Sequence, residues 1–181
     1  LGIADGFAVD DPRRGELLER LTRYAQAQGN FDDAETFGQQ AILAQHWAWG
    51  SDHDRTLQAI ETLARIYSKI ARYAQEKPLL ERALALREAR IFDDPALLTK
   101  ALCALGEFWL AVERPDQAET PLRRALHLAN ERLDRLAAQR LPILTMLTDV
   151  CVRQKKLDEA DSLAHEAHWL AQKISRPRYH S

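Results

Sequence analysis

Apolar and small residues recur along this chain as paired helical stripes, not as the alternation that strands require. Four stretches, 18–42, 60–84, 102–126 and 144–168, align without a gap. In the second, Ile60, Leu63, Ala64 and Tyr67 share one helical face at i, i+3, i+4 and i+7. Leu79, Leu80, Ala83, Leu84 and Leu86 then mark a second stripe. Ala41, Ala83, Ala125 and Ala167 keep one constant step of 42 in the numbering, as do Leu21, Leu63, Leu105 and Leu147. A small residue follows that leucine each time: Thr22, Ala64, Gly106 and Thr148. Ala34, Ala118 and Ala160 keep the same step, with Glu76 in the second slot. Each copy therefore predicts two helices and a turn, eight helices in all. The small residues let the paired helices approach closely.

Punctuation agrees with that division. Asp10-Asp11-Pro12 and Asp93-Asp94-Pro95 each set a capping aspartate before a proline suited to the first helical position. Asp32 and Asp116 fall where second helices should begin, and Asp52 and Asp54 flank the start of the third helix. Pro78 and Pro121 lie about one turn inside their helices, where proline costs least. Pro142 is deeper, and a kink is expected there.

Composition narrows the class. The 181 residues include 28 Ala and 27 Leu against only 12 Val and Ile together, so the chain is expected to be all-α. A net charge of −2 argues against a dedicated nucleic-acid binder, and no apolar run is long enough for membrane insertion. Two cysteines make no disulfide framework and suit a reducing, cytoplasmic setting.

Leu18, Leu21, Thr22, Gly29, Phe31, Ala34 and Ala41, repeated downstream, resemble the tetratricopeptide repeat (TPR). The 42-residue step, the stretch RYAQEKPLLERAL at 72–84 and the turn GSDHD at 50–54 are similar to the kinesin-light-chain subtype, which also occurs in bacterial proteins. Ala71, Glu113 and Lys155 stand where the first copy has its turn glycine, and Pro115 and Leu157 replace the turn aromatic. The resemblance implies a TPR-type α-solenoid of four helix-turn-helix repeats in a right-handed superhelix. The expected division is one domain over 15–181, with repeats at about 15–56, 57–98, 99–140 and 141–181. Residues 1–14 would be an N-terminal extension or the tail of a preceding element. The non-Met start, and the lack of room for a capping helix, favour a part of a longer protein.

The resemblance also implies where partners would bind: the first helix of each pair lines a concave groove. Its groove positions correspond to Glu19, Arg20, Arg23, Gln26 and Ala27, then Glu61, Thr62, Arg65, Ser68 and Lys69. The third repeat contributes Cys103, Ala104, Glu107, Leu110 and Ala111, and the fourth Thr145, Met146, Asp149, Val152 and Arg153. The series Arg23, Arg65, Glu107, Asp149 makes this surface basic in its first half and acidic in its second, with an apolar floor around Cys103 and Ala104. A partner segment of mixed charge with an apolar centre would suit it. The plain alternative is that Glu19–Arg23 and Glu61–Arg65 are ordinary i,i+4 helix pairs.

Chemistry finds few candidates. Asp161, His165 and His168 share one face of the last helix, but no fourth metal ligand accompanies them. Cys151 is expected in the core and Cys103 at the groove without an adjacent base. Trp109 is expected in the core, and of Trp47 and Trp49 one is a candidate exposed contact. Neither a phosphate loop nor a nucleophile elbow is present. The expectation is a non-enzymatic scaffold or adaptor without cofactor or metal, binding a protein or peptide partner in the groove. Two alternatives stay open: a regulatory arm of a larger signalling ATPase or transcriptional activator, and a homo-oligomer assembled through the terminal repeats.

Overall fold

The computed structural model describes residues 6–8, 10–89, 94–131 and 133–175, with only the backbone described at 133–138 and 175. Those residues form eight helices and no strand. The chain divides into two compact units, Leu1–Leu86 and Arg87–Ser181.

Unit 1 holds α1 (Pro12–Ala27), α2 (Phe31–Trp49), α3 (Asp54–Lys69) and most of α4 (Tyr73–Glu88). Asp11 caps α1 by accepting from the Arg13 N–H at 2.9 Å, ahead of the helix-starting Pro12. Asn30, not Asp32, caps α2, and the ring of His53 caps α3. Asp32 sits inside the first turn of α2, where its charge still meets the helix dipole favourably. Leu18, Ala41, Ala44 and Ala59 form one buried cluster. Ala25, Ala34, Leu63, Ile66 and Tyr67 form another. These are the periodic alanines and leucines and their neighbours, so the small residues do bring the helices together.

Unit 2 holds α5 (Pro95–Ala111), α6 (Pro115–Glu131), α7 (Leu133–Arg153) and α8 (Leu157–Ser175). Asp94 caps α5, accepting from the Ala96 N–H at 2.9 Å. Leu98, Leu102, Leu122, Ala125, Leu144, Leu147 and Cys151 are fully or almost fully buried. Trp109 is only half-buried, because its neighbour Phe108 takes the interior place and meets it edge-on at 4.9 Å. The helix α7 runs on through Pro142 as one element.

The turns within the helix pairs repeat one geometry. Gly29, Ala71, Glu113 and Lys155 all take positive φ, between 55° and 74°. Each turn is closed by the same bond, from the next residue's N–H to a carbonyl one longer turn back. The pairs are Asn30 to Ala25, Arg72 to Tyr67, Arg114 to Trp109 and Lys156 to Cys151, at 2.8–2.9 Å. This is the Schellman closure of a helix C-terminus. Three non-glycine residues accept the left-handed conformation because the closure and the packing of both helices hold it.

Candidate partner-binding clefts

In unit 1, α1 and α3 present one face to solvent. Glu19 and Arg23 from α1, with Gln58, Glu61, Thr62 and Arg65 from α3, line a cleft of 240 Å³. The expected i,i+4 pairs do not form. Glu19 instead accepts from Nε2 of the buried Gln45 at 2.7 Å. Gly15 leaves room for that amide: a Cβ at residue 15 would stand 2.7 Å from Gln45 Cδ. The carboxylate of Glu19 is thus turned toward α2. Arg23 and Arg65 are exposed and make no ion pair or hydrogen bond with a described residue. Gln26 and Lys69 extend the same faces by a turn and are also accessible.

In unit 2, α5 and α7 enclose a mostly apolar cleft of 310 Å³. Cys103, Ala104, Pro142 and Met146 form its walls, with Lys100, Glu107 and Gln139 among them. Burial, and then the Glu107 charge, push the Cys103 thiol up to about 12. Such a thiol stays protonated at neutral pH and is no nucleophile. Burial against the cleft wall also raises the Glu107 carboxyl above the usual range. Asp149 is engaged by its own helix: both carboxylate oxygens accept from Arg153 Nε at 3.0 Å. A further bond of 3.5 Å joins Arg153 Nη1 to the Leu110 carbonyl. Thr145 donates its hydroxyl to the Leu141 carbonyl at 3.0 Å. Of the expected acidic pair, therefore, Glu107 alone lacks a partner among the described residues.

All the groove residues expected from the sequence are at least partly accessible: Glu19, Arg23, Gln26, Glu61, Arg65, Lys69, Cys103, Glu107, Thr145, Asp149 and Arg153. Glu19, Arg23, Glu61 and Arg65 meet in one cleft, and Cys103 and Glu107 in the other. Gln58, Lys100 and Pro142 were not anticipated. They keep the repeat's own step, each three before Glu61, Cys103 or Thr145, and so lie on the same helical face. Extending the groove register by one turn toward the N-terminus finds all three.

The other candidates are local arrangements. His165 Nδ1 lies 2.9 Å from the Asp161 carbonyl, and His168 pairs with Gln172 at 2.8 Å. Among the described residues no three His, Cys, Asp or Glu side chains are grouped to hold a metal ion. Trp49 stacks on His53 at 4.9 Å, under the Arg55 guanidinium at 5.3 Å, and so packs over the turn between repeats. Trp47 is 64% exposed and touches His46 edge-on. No helix among the described residues is long and apolar enough to cross a membrane.

Known proteins share this fold. Residues 56–90 match the tetratricopeptide repeat model. No curated protein matches the chain by sequence. A Podosopora anserina protein with nearly identical TPR-like repeats of kinesin-light-chain type superposes with a TM-score of 0.80 at 20% identity. That match covers 96% of this chain and 82% of the other. A single-substitution variant of the same protein gives 0.82 at 20% identity, with the same coverage. BtubC (BKLC) from P. vanneervenii gives 0.85 at 16% identity, over 98% of this chain and 73% of the other. The chain is thus an all-α TPR solenoid of helix-turn-helix repeats whose fold is that of kinesin-light-chain-like repeat proteins.

Proposed function

We propose that this chain is a non-enzymatic interaction scaffold that holds a protein segment along the first helices of its repeats. In this reading 15–181 acts as one binding domain. The observation that carries it is the pair of arginines in the unit 1 cleft. Arg23 and Arg65 line the same 240 Å³ space as Glu19 and Glu61, exposed and in no ion pair or hydrogen bond with a described residue. Guanidiniums whose donors no described side chain engages can take an incoming carboxylate through charge-assisted hydrogen bonds. Supporting it, the carboxylate of the neighbouring Glu19 accepts from Gln45 and makes no pair with Arg23. Helical-repeat arrays commonly bind extended partners on such surfaces, and the solved relatives share the fold.

The test compares wild type with Arg23→Glu/Arg65→Glu, each used to capture partners from the native lysate. Both arginines are exposed, so the variant is expected to keep its circular dichroism spectrum and melting temperature. A partner held by the wild type and lost by the folded variant identifies the groove ligand. Capture of the same set by both forms contradicts the groove reading. Self-association is the second reading, favoured by the exposed Leu157, Trp169 and Ile174 on α8. It predicts a mass that rises with concentration in sedimentation.

A further inference from the structure

We propose that the unit 2 cleft seats one aliphatic side chain of the partner segment, and that the charged residue following it on the Glu107 side is cationic. This rests on the groove reading above and adds the ligand chemistry of its second half. The space of 310 Å³ is at the small end of ligand pockets, enough for a single side chain. Its walls are Cys103 and Ala104 on α5 against Pro142 and Met146 on α7, and Met146 can adapt to branched or linear occupants.

Two charged groups set the occupant's direction. Lys100 and Glu107 lie two turns apart on α5, about 10 Å along the axis, with Cys103 and Ala104 between them. Neither has a partner among the described residues. A cation therefore finds an unpaired carboxylate at one end and a repelling ammonium at the other. Glu107 is also partly desolvated, which disfavours its charge until a cation arrives. Asp149 has no share in this recognition, because Arg153 occupies it.

The sequence has one methionine, so a carbon-13 methyl label on Met146 reports from the cleft wall. The probes are acetyl-Leu-Gly-Lys-amide and acetyl-Leu-Gly-Glu-amide, titrated against the full chain. The lysine peptide should move the Met146 signal saturably, and the glutamate peptide should bind about tenfold more weakly. Glu107→Gln, an exposed and isosteric change, should remove that preference and leave the folded spectrum intact. Equal shifts from both peptides, no shift from either, or a preference that survives Glu107→Gln each overturn the proposal. The Arg23/Arg65 capture experiment does not involve Glu107. Loss of the cationic preference with capture still dependent on the arginines discards this inference and leaves the groove reading standing.

Discussion

The two units solve one packing problem with opposite residues. Where the first and second helices of a pair cross, unit 1 sets Thr22 against Gly38. At the equivalent positions two repeats later, unit 2 sets Gly106 against Leu122. The bulk has changed sides. A Cβ on Gly38 would lie 3.7 Å from the Thr22 methyl and 3.1 Å from Leu63 Cδ1. A Cβ on Gly106 would stand 2.5–2.6 Å from Leu122 Cδ2 and Cγ, closer than carbon atoms can approach. Each crossing thus sets a glycine against a larger side chain, and the two units place the glycine on opposite helices of the pair.

Ion pairs between successive repeats show the same substitution of parts. In unit 1, Glu35 of α2 pairs with Arg72 at the following turn and accepts the Tyr67 hydroxyl at 3.0 Å. Two repeats on, in unit 2, Glu119 pairs with Lys156 at 2.9 Å and with Arg123 at 2.7 Å. Cys151 takes the place of Tyr67 and stays in the core. The accessible first-helix faces, by contrast, diverge in kind: a cleft of mixed charge in one unit and an apolar cleft flanked by charge in the other. Positions that hold helices together keep their job, and positions that face solvent are free to vary.

The crossing predicts the largest effect. Gly106→Thr should destabilise the protein by about 2–3 kcal/mol, because Leu122 is itself fully packed. Adding Leu122→Gly, which copies the unit 1 arrangement, should recover part of that loss despite the cost of glycine within a helix. Urea unfolding of the single and double variants measures it. A double variant less stable than the sum of the two single changes would contradict the exchange.

A smaller effect is expected at the second clasp. The bond from Lys156, with that from Arg123, holds the Glu119 carboxyl down at about 2. A lowered carboxylate adds stability above its unfolded pKa, about 4.3, and loses it as pH falls toward the folded value. Glu119→Gln should therefore cost about 1–2 kcal/mol at neutral pH, with little difference from wild type near pH 2. Thermal melts across that range check the convergence. A gap that stays constant with pH would remove the ion pair as its cause.

The smallest changes concern the turns. Lys155→Gly should stabilise by about 0.5–1 kcal/mol, since glycine relieves the left-handed backbone, and Gly29→Ala should cost about as much. Matched melting curves are sufficient, and a destabilising Lys155→Gly would mean that the lysine side chain itself stabilises the turn.

Much of this architecture was legible in the sequence, for a physical reason. A close helix crossing forces small residues at a fixed register, so Ala41, Ala83 and Ala125 could be read as core without coordinates. The left-handed turns were legible at Gly29 but not at Glu113 or Lys155, where tertiary closure overrides residue preference. The clefts were half legible. Helical spacing placed Arg23 and Arg65 on the accessible face, yet it also paired them with Glu19 and Glu61. What frees Arg23 from Glu19 is Gln45, far along the chain on another helix and admitted by the missing side chain of Gly15. No local pattern encodes that contact. Asp149 is the opposite case: its pairing with Arg153 is an i,i+4 contact that the local spacing does encode.

Arg23 and Arg65, on this reading, wait for an acidic partner group. The most direct test is the salt dependence of affinity for the captured segment, measured by calorimetry with wild type and with Arg23→Glu/Arg65→Glu. Wild-type binding should weaken steeply with added salt, and the folded variant should keep only weak, nearly salt-independent binding. Equal affinities with equal salt slopes would contradict it.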